Sequence, residues 1–403
     1  MQYSTIGLLR NVLLWSACAL FMRDGVAAPV ASSQAQEAIK SYLLRWQAET
    51  GAPGVSAAVA VNGQIVFSGG VGLSDLQSAT PQDGRSVHNL GSLSSVMSAV
   101  ATMQLVERGK IKLDAPVHDY VPWYPRRANP VTLRHVLSHS SGIRDYSYEG
   151  DEFGPGNVLW FRQFDNFEES TRGWRDDPLL FEPGTRWMQS TVAPNLIQAV
   201  IEAVTGESFE SYLSKNVWQP AGMADTRFDV TSRIVPRRGR GYVRSESGEL
   251  RNAPDENVSY KYAAAGVLST DEDLCLFGIA LNSGRLLKPE SLREMYRLQL
   301  PSDIRYSPAD EASYAKDHPG QVRPSRGLRQ AMFFQLDRRD DGVSVGRSGS
   351  LKGAESRFTN YHQDNVVVAL HFNVQDAGGA VDLADAAAAL ARLYLPSRSG
   401  SVR

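Results

Sequence analysis

Asn62-Gly63 stands between two β-rich runs, residues 55–61 and 64–71. Asn-Gly in that setting is the strongest short-range hairpin signal, because a type I′ turn holds two successive residues at positive φ. A lone two-stranded hairpin is marginal in water, so these strands need partners. The remaining β-rich runs lie near the other end of the chain, at 330–336, 343–346, 355–361 and 365–372. The stretches at 337–342 and 362–364 read as turns. One sheet built from both ends of the chain follows, and the residues between form an insertion that leaves the sheet and returns to it.

That insertion is mainly helical. Residues 35–50 already place Ile39, Tyr42, Leu43 and Trp46 at helical spacing, and Gly51-Ala-Pro-Gly54 breaks the pattern. Periodicity and stop signals predict helices over 92–108, ended by Gly109, over 132–138, over 194–205, ended by Gly206, and over 209–218. An Ala-rich helix over 383–394 closes the chain. Residues 147–180 are aromatic and acidic without a readable period. There Trp160, Phe161, Phe164, Phe167 and Trp174 suit an apolar rim or plain core. No internal repeat is present. The expected organisation is one α/β domain over 28–400. Its antiparallel sheet region covers about 35–85 and 265–395, flanked by helices, and its helical region covers about 86–264.

Composition narrows the function classes. The 403 residues are 42% hydrophobic and 21% charged, which is ordinary globular composition. Lys+Arg number 42 against 44 Asp+Glu, so no basic excess points to nucleic acid. Two cysteines are too few for a disulfide framework or a thiolate zinc site.

The first 27 residues read as a secretory signal. Arg10 precedes an apolar stretch over 12–22, and the small residues Gly25, Ala27 and Ala28 follow. The stretch is too short for a resident span, which needs about 20 residues. A secreted or periplasmic location is expected, with an uncleaved membrane anchor as the alternative. Cleavage removes Cys18 and leaves Cys275 alone, so no intrachain disulfide forms. No stable membrane span is expected after signal removal.

His135 and His139 stand at i, i+4, a spacing that can share zinc on a helix. No Glu occupies the H-E-x-x-H position and no third ligand is evident, so packing and capping are expected of them. No P-loop and no G-x-G-x-x-G follows a strand.

Several separated segments carry a resemblance. They are Gly91-Ser-Leu-Ser-Ser-Val-Met-Ser-Ala99, Met103-Gln-Leu-Val-Glu-Arg-Gly-Lys-Ile-Lys-Leu-Asp-Ala-Pro-Val117, Tyr120-Val-Pro122, Leu133-Arg-His-Val-Leu-Ser-His-Ser-Ser-Gly142, Glu182-Pro-Gly-Thr185 and Ala265-Gly-Val-Leu-Ser-Thr-Asp-Glu-Asp-Leu274. In order and spacing they resemble the serine β-lactamase-related family, from about residue 35 to 395. That family takes in class C β-lactamases, D-alanyl-D-alanine carboxypeptidases and esterases. Ser141-Gly-Ile-Arg144 and Ser259-Tyr-Lys-Tyr262 are most similar to its mitochondrial β-lactamase-like branch. The resemblance implies a β-lactamase/transpeptidase-like fold, a ligand with a carbonyl group (small molecule or peptide), and no cofactor or metal.

Catalysis in that family needs S-x-x-K, Y-x-N and K-T-G or H-T-G. A serine hydroxyl is too weak an acid to attack at neutral pH without a base in hydrogen-bond reach. Here all three elements are altered. Ser92 takes the nucleophile position and Ser95 the lysine position. Sliding the frame pairs Ser94 with Met97 or Ser95 with Ser98, and rescues nothing. Gln189 takes the tyrosine position, followed by Ser190 and Thr191, and the third element reads Arg347-Ser348-Gly349-Ser350. The resemblance assigns Thr191, Arg347, Ser348, Gly349 and Ser350 to substrate binding. Backbone N–H groups of Ser92 and Ser350 would form an oxyanion hole, which needs no particular side chain. Arg347 can hold a carboxylate bidentately. The expectation is a pseudoenzyme. The alternative is a divergent serine hydrolase with Ser92 as nucleophile and a non-standard base, to be sought among Lys261, His139 and Lys352. Lys352 reads as a solvated loop charge, and His371 as a packed strand residue.

Overall fold

The computed structural model describes residues 33–146, 161–164, 167–308, 311–312 and 329–396. The expected signal segment and Trp160 therefore lie outside the described residues.

Helix α1, Ser33–Thr50, buries Ala35, Ile39, Leu43, Trp46 and Thr50, one stripe at spacings of three and four. The breaker after it turns the chain into β1, Gly54–Val61, and β2, Gln64–Asp75. Asn62 and Gly63 both have positive φ, 50° and 83°, so the expected type I′ turn forms. A short strand β3, Thr80–Pro81, ends this part of the sheet.

All eight residues of β1 are buried, so its sequence shows no polar alternation. Its odd positions Val55, Ala57, Val59 and Val61 pack with Ile39, Leu43 and Trp46 of α1. Ala58 and Ala60 face the opposite core. Each large apolar side chain buried this way contributes about 1.5–3 kcal/mol.

Helix α2, Ser95–Glu107, is buried almost all round at the centre of the insertion, and helix α3, Asp271–Asn282, returns the chain to the sheet. The late strands follow: β4 Gln335–Arg339, β5 Gly342–Leu351, β6 Ala354–Tyr361 and β7 Val366–Phe372. Sheet order is β4-β5-β6-β7-β1-β2-β3, antiparallel throughout, with β7 on β1 in the register Val55↔Phe372 to Val61↔Val366. The two chain ends thus meet in one sheet. Closing helix α4, Leu383–Arg392, packs beside α1 on the outer face.

Two expectations shift. The strand expected over 330–336 begins only at Gln335 and runs on to Arg339. The apolar stretch Ala331–Phe334 is instead drawn into the helical core: the Met332 N–H donates to Met295 O at 3.1 Å, the Phe333 N–H to Leu137 O at 2.8 Å, and Phe333 has φ 56°. The helix expected from Ser92 begins as a 3₁₀ turn, Gly91–Ser94, before α2. Among the described residues no helix is long and apolar enough to cross a membrane.

Candidate functional site

The sheet itself makes the site. Strand β4 pairs with β5 only from Gly342 to Gly346, so residues 347–351 of β5 keep an open edge. The Ser92 turn sits against that edge. A Cβ on Gly349 would lie 1.9 Å from Leu90 O and 2.9 Å from the Ser92 N, and one on Gly91 would lie 2.6 Å from the Ser350 N. Only glycine allows this approach.

The β5–β6 turn is Lys352-Gly353, with φ of 50° and 71°, again a two-residue type I′ turn. Leu351 and Ala354 are its closing pair. Hydrogen-bonded and non-hydrogen-bonded pairs alternate from there, so the Ser350 N–H leaves the ladder and aims along the open edge. The Ser92 N–H is one of the first donors of a helical start and has no intrahelical acceptor. Ser92 N and Ser350 N thus both lie at the Gly91–Gly349 contact, two backbone donors of the kind that can stabilise an oxyanion.

Around Ser92 the scaffold is tightly bonded. The Gly91 N–H donates to Asn89 Oδ1 at 2.8 Å, the Leu90 N–H to Val267 O at 2.9 Å, and Ser356 Oγ–H to Leu90 O at 3.0 Å. At the lysine position Ser95 Oγ donates back to Ser92 O at 2.7 Å. Its hydroxyl is spent on the helix backbone. No hydrogen bond joins the Ser92 hydroxyl to another described residue.

The segment that should present a tyrosine is held by hydrogen bonds on both sides of Gln189. The Met188 N–H donates to His139 O at 2.9 Å. Ser190 Oγ donates to Arg144 O at 3.0 Å. The Thr191 N–H and Oγ1–H donate to the two oxygens of Asp145, at 2.8 and 3.2 Å. Burial pushes the Asp145 carboxyl above its usual range, against the opposing hydrogen bonds of Thr191 and Tyr146 and the charge of Lys261. The Gln189 side chain is exposed.

Arg347 is the unusual residue of the opposite wall. It is 4% exposed, its Nε has no hydrogen-bond partner, and among the described residues no carboxylate pairs with it. Burial, then the neighbouring Arg357 charge, lowers it to about 10. Its Nη2 lies 3.4 Å from His139 Nε2. The other His139 nitrogen faces the Ser190 N–H, also at 3.4 Å. Burial, and then the Arg347 charge, keep this imidazole neutral, so it has one acceptor for two donors. One of the two contacts is therefore not a hydrogen bond. Ser348 turns to the other face and accepts from Arg357 Nη1 at 3.3 Å.

The residues considered as replacement bases are committed elsewhere. Lys261 is fully buried, ion-paired to Glu256 at 2.6 Å and covered by the rings of Tyr146 and Tyr260. Lys352 is no solvated loop charge: its side chain is 11% exposed and its Nζ lies 2.9 Å from Asp229 Oδ2. It is covered because Gly241 and Gly353 let the 241–253 segment close over the hairpin tip. His371 is packed, stacked on His88 at 3.8 Å. His135 caps its own short helix with Thr132. Phe164, Phe167 and Trp174 are core and Phe161 is exposed, so the aromatic segment is only partly rim.

Sequence reasoning missed Asn89, Asp145 and Asp229. Asp229 accepts from Lys352 Nζ, Arg238 Nη2 at 2.8 Å and Asn89 Nδ2 at 3.2 Å. Burial pushes its carboxyl up, but Lys352 and Arg238 outweigh this and hold it below the usual range. A cavity of about 310 Å³ lies beside this cluster, lined by His88, Asn89, Asp229, Arg238 and Lys352 among others; Ser92 does not line it.

The family profile described as beta-lactamase matches residues 34–393. The human protein "Serine beta-lactamase-like protein LACTB, mitochondrial" is 29% identical over 314 residues, 62% of this chain and 57% of that protein. Esterase EstB of Burkholderia gladioli is 34% identical over 185 residues, covering 43% of this chain and 47% of the esterase. The chain thus spans just over half the length of the LACTB proteins it matches. Among solved structures, the octameric penicillin-binding protein homologue from Pyrococcus abyssi superposes with a TM-score of 0.72 at 24% identity, covering 89% of this chain and 77% of that one. Together with the Ser92 turn seated on the open edge of β5, the match over almost all described residues makes this chain a member of the beta-lactamase family of serine-hydrolase relatives.

Proposed function

We propose that this family member is a pseudoenzyme: an exported protein that keeps the carbonyl- and carboxylate-binding pocket of a serine hydrolase and has lost its proton transfer. The carrying observation is the Ser95 hydroxyl, turned onto Ser92 O where a base should face the Ser92 hydroxyl. The exposed Gln189 cannot titrate, and Lys261 is tied to Glu256. A general base is worth about 10²–10⁴-fold, and its loss leaves only the oxyanion donors, roughly 10³-fold over water. Arg347, buried with no carboxylate partner among the described residues, supports a carboxylate on the ligand, which would supply the missing charge. The proposed ligand is a small molecule or peptide with a carbonyl group and a carboxylate.

The test is restoration. Wild type should hydrolyse p-nitrophenyl acetate no faster than Ser92→Ala. Ser95→Lys combined with Gln189→Tyr should raise turnover at least about 10²-fold. A fluorophosphonate adduct on wild type that disappears in Ser92→Ala would overturn the pseudoenzyme reading in favour of a divergent hydrolase.

A further inference from the structure

The two N–H donors come from segments far apart in the chain. Ser92 belongs to the turn after Asn89, and Ser350 to the edge of β5 just before Lys352-Gly353. One buried carboxylate reaches both. Asp229 Oδ2 accepts from Asn89 Nδ2 at 3.2 Å, and the other end of the Asn89 amide accepts the Gly91 N–H at 2.8 Å, one residue before Ser92. The same Oδ2 accepts from Lys352 Nζ at 2.9 Å, two residues beyond Ser350. Oδ1 is held by Arg238 Nη2 at 2.8 Å, so the carboxylate cannot swing.

We propose that Asp229 is a positioning residue that fastens the serine turn to the β5–β6 hairpin and so sets the separation of the two oxyanion donors. This rests on the reading of the Ser92 and Ser350 N–H groups as oxyanion donors. Asp229 itself touches no reacting atom. Its side chain is fully buried, yet it lines the adjoining cavity, and its partners reach it from three separate segments, at 89, 238 and 352. A purely structural ion pair would need only one of those cations. A bridge needs donors from both segments, as found. Charge-assisted bonds of this kind are roughly twice as strong as neutral ones, which suits a carboxylate as the fastening atom.

Hydrogen exchange followed by mass spectrometry tests the fastening on the full chain. In Asp229→Asn, exchange of the peptides covering 89–93 and 348–353 should rise together, by about tenfold, corresponding to about 1.4 kcal/mol of local opening. In Lys352→Met only the hairpin peptide should respond, because the Asn89 arm remains. Asp229→Glu should recover part of the protection. No change, or a change confined to one segment in Asp229→Asn, would overturn the proposal. If Asp229→Asn fails to fold, Lys352→Met decides: unchanged exchange at 348–353 would overturn the fastening.

Phenylboronic acid separates this from the underlying reading. Ser92 Oγ adds to the trigonal boron, its proton passes to water, and the tetrahedral adduct appears by ¹¹B NMR. If wild type forms it and Ser92→Ala does not, the oxyanion reading stands, and Asp229→Asn should weaken binding at least tenfold. Unchanged boronate affinity in that variant would overturn the positioning role even where stability falls. If wild type forms no adduct for want of a base, the boronate is added to Ser95→Lys combined with Gln189→Tyr; no adduct there either makes the oxyanion reading fail, and the exchange pattern alone then decides whether Asp229 joins the two segments.

Discussion

Arg347 and Arg357 lie on neighbouring strands of one hairpin, both buried, on opposite faces of the sheet. Arg357 is surrounded: Asp337 at 3.0 Å, Thr359 Oγ1 at 3.0 Å and Ser348 Oγ at 3.3 Å take its donors. Arg347 has a neutral histidine at 3.4 Å and no carboxylate among the described residues. The same side chain thus does two jobs. The paired one completes the scaffold, and its removal would strand a partner. Arg347, without a carboxylate partner among the described residues, costs stability, a cost that the proposed anion would offset. Arginine cannot escape that cost by losing its proton near neutral pH, so the carboxylate-bearing ligand proposed above would relieve it.

The largest expected effect breaks the symmetry of the pair. Arg357→Met should lower unfolding free energy by about 3 kcal/mol in urea titrations, the low end for a broken buried pair because Asp337 is partly exposed. Arg347→Met should cost less than about 1 kcal/mol or stabilise, as apolar replacement of an uncompensated charge does. Equal losses would show that the two arginines are equivalent after all.

The second effect concerns the anion. A small carboxylate such as benzoate, at 100 times its Kd, should stabilise wild type by about 2.7 kcal/mol in thermal unfolding. Arg347→Met should lose that response. Stabilisation that survives in Arg347→Met would place the anion elsewhere.

The third effect sharpens the comparison with a charge that can be shed. Asp271 is buried with Ser56 Oγ at 2.6 Å as its hydrogen-bond donor, and burial pushes its carboxyl up to about 7. The folded state therefore holds this proton more tightly than the unfolded chain. Its contribution is most favourable below the unfolded carboxyl range near pH 4 and is lost as pH rises towards 7. The difference in stability between wild type and Asp271→Asn should change across that window by at most about 1.4 kcal/mol per pH unit. The difference measurement also removes the opposite trend of His88, whose burial lowers it to about 3. A flat difference between pH 4 and 7 would mean that Asp271 stays charged, like Arg347.

The sequence carried the sheet from both ends because the signals were local: Asn62-Gly63 for one turn, continuous Val/Ala for the central strand. The second type I′ turn was not legible, since Lys352 is an uncommon residue at positive φ and only the packing around it reveals the turn. Nor was the late start of β4, where Ala331–Phe334 reads as strand by composition but answers to Met295 and Leu137. For the site, the positions of Ser92, Ser95, Gln189 and Arg347 were read from family spacing. Asp229 and Asp145 could not be, because Lys352, Asn89 and Thr191 stand 123, 140 and 46 residues from them and no period links them. The isolation of Arg347 is a property of its surroundings, so no reading of the residue alone could supply it.

The contact between Gly349 and Leu90 has one more implication, a historical one. The proposed restoration replaces only two side chains, at 95 and 189. Position 349 has no such freedom: a single methyl group there would lie 1.9 Å from the Leu90 carbonyl and force hairpin and serine turn apart. As long as glycine stays there, the proton transfer that we propose is missing could be restored by side-chain replacement. Its substitution would act as a ratchet, after which no change at 95 or 189 could bring the activity back.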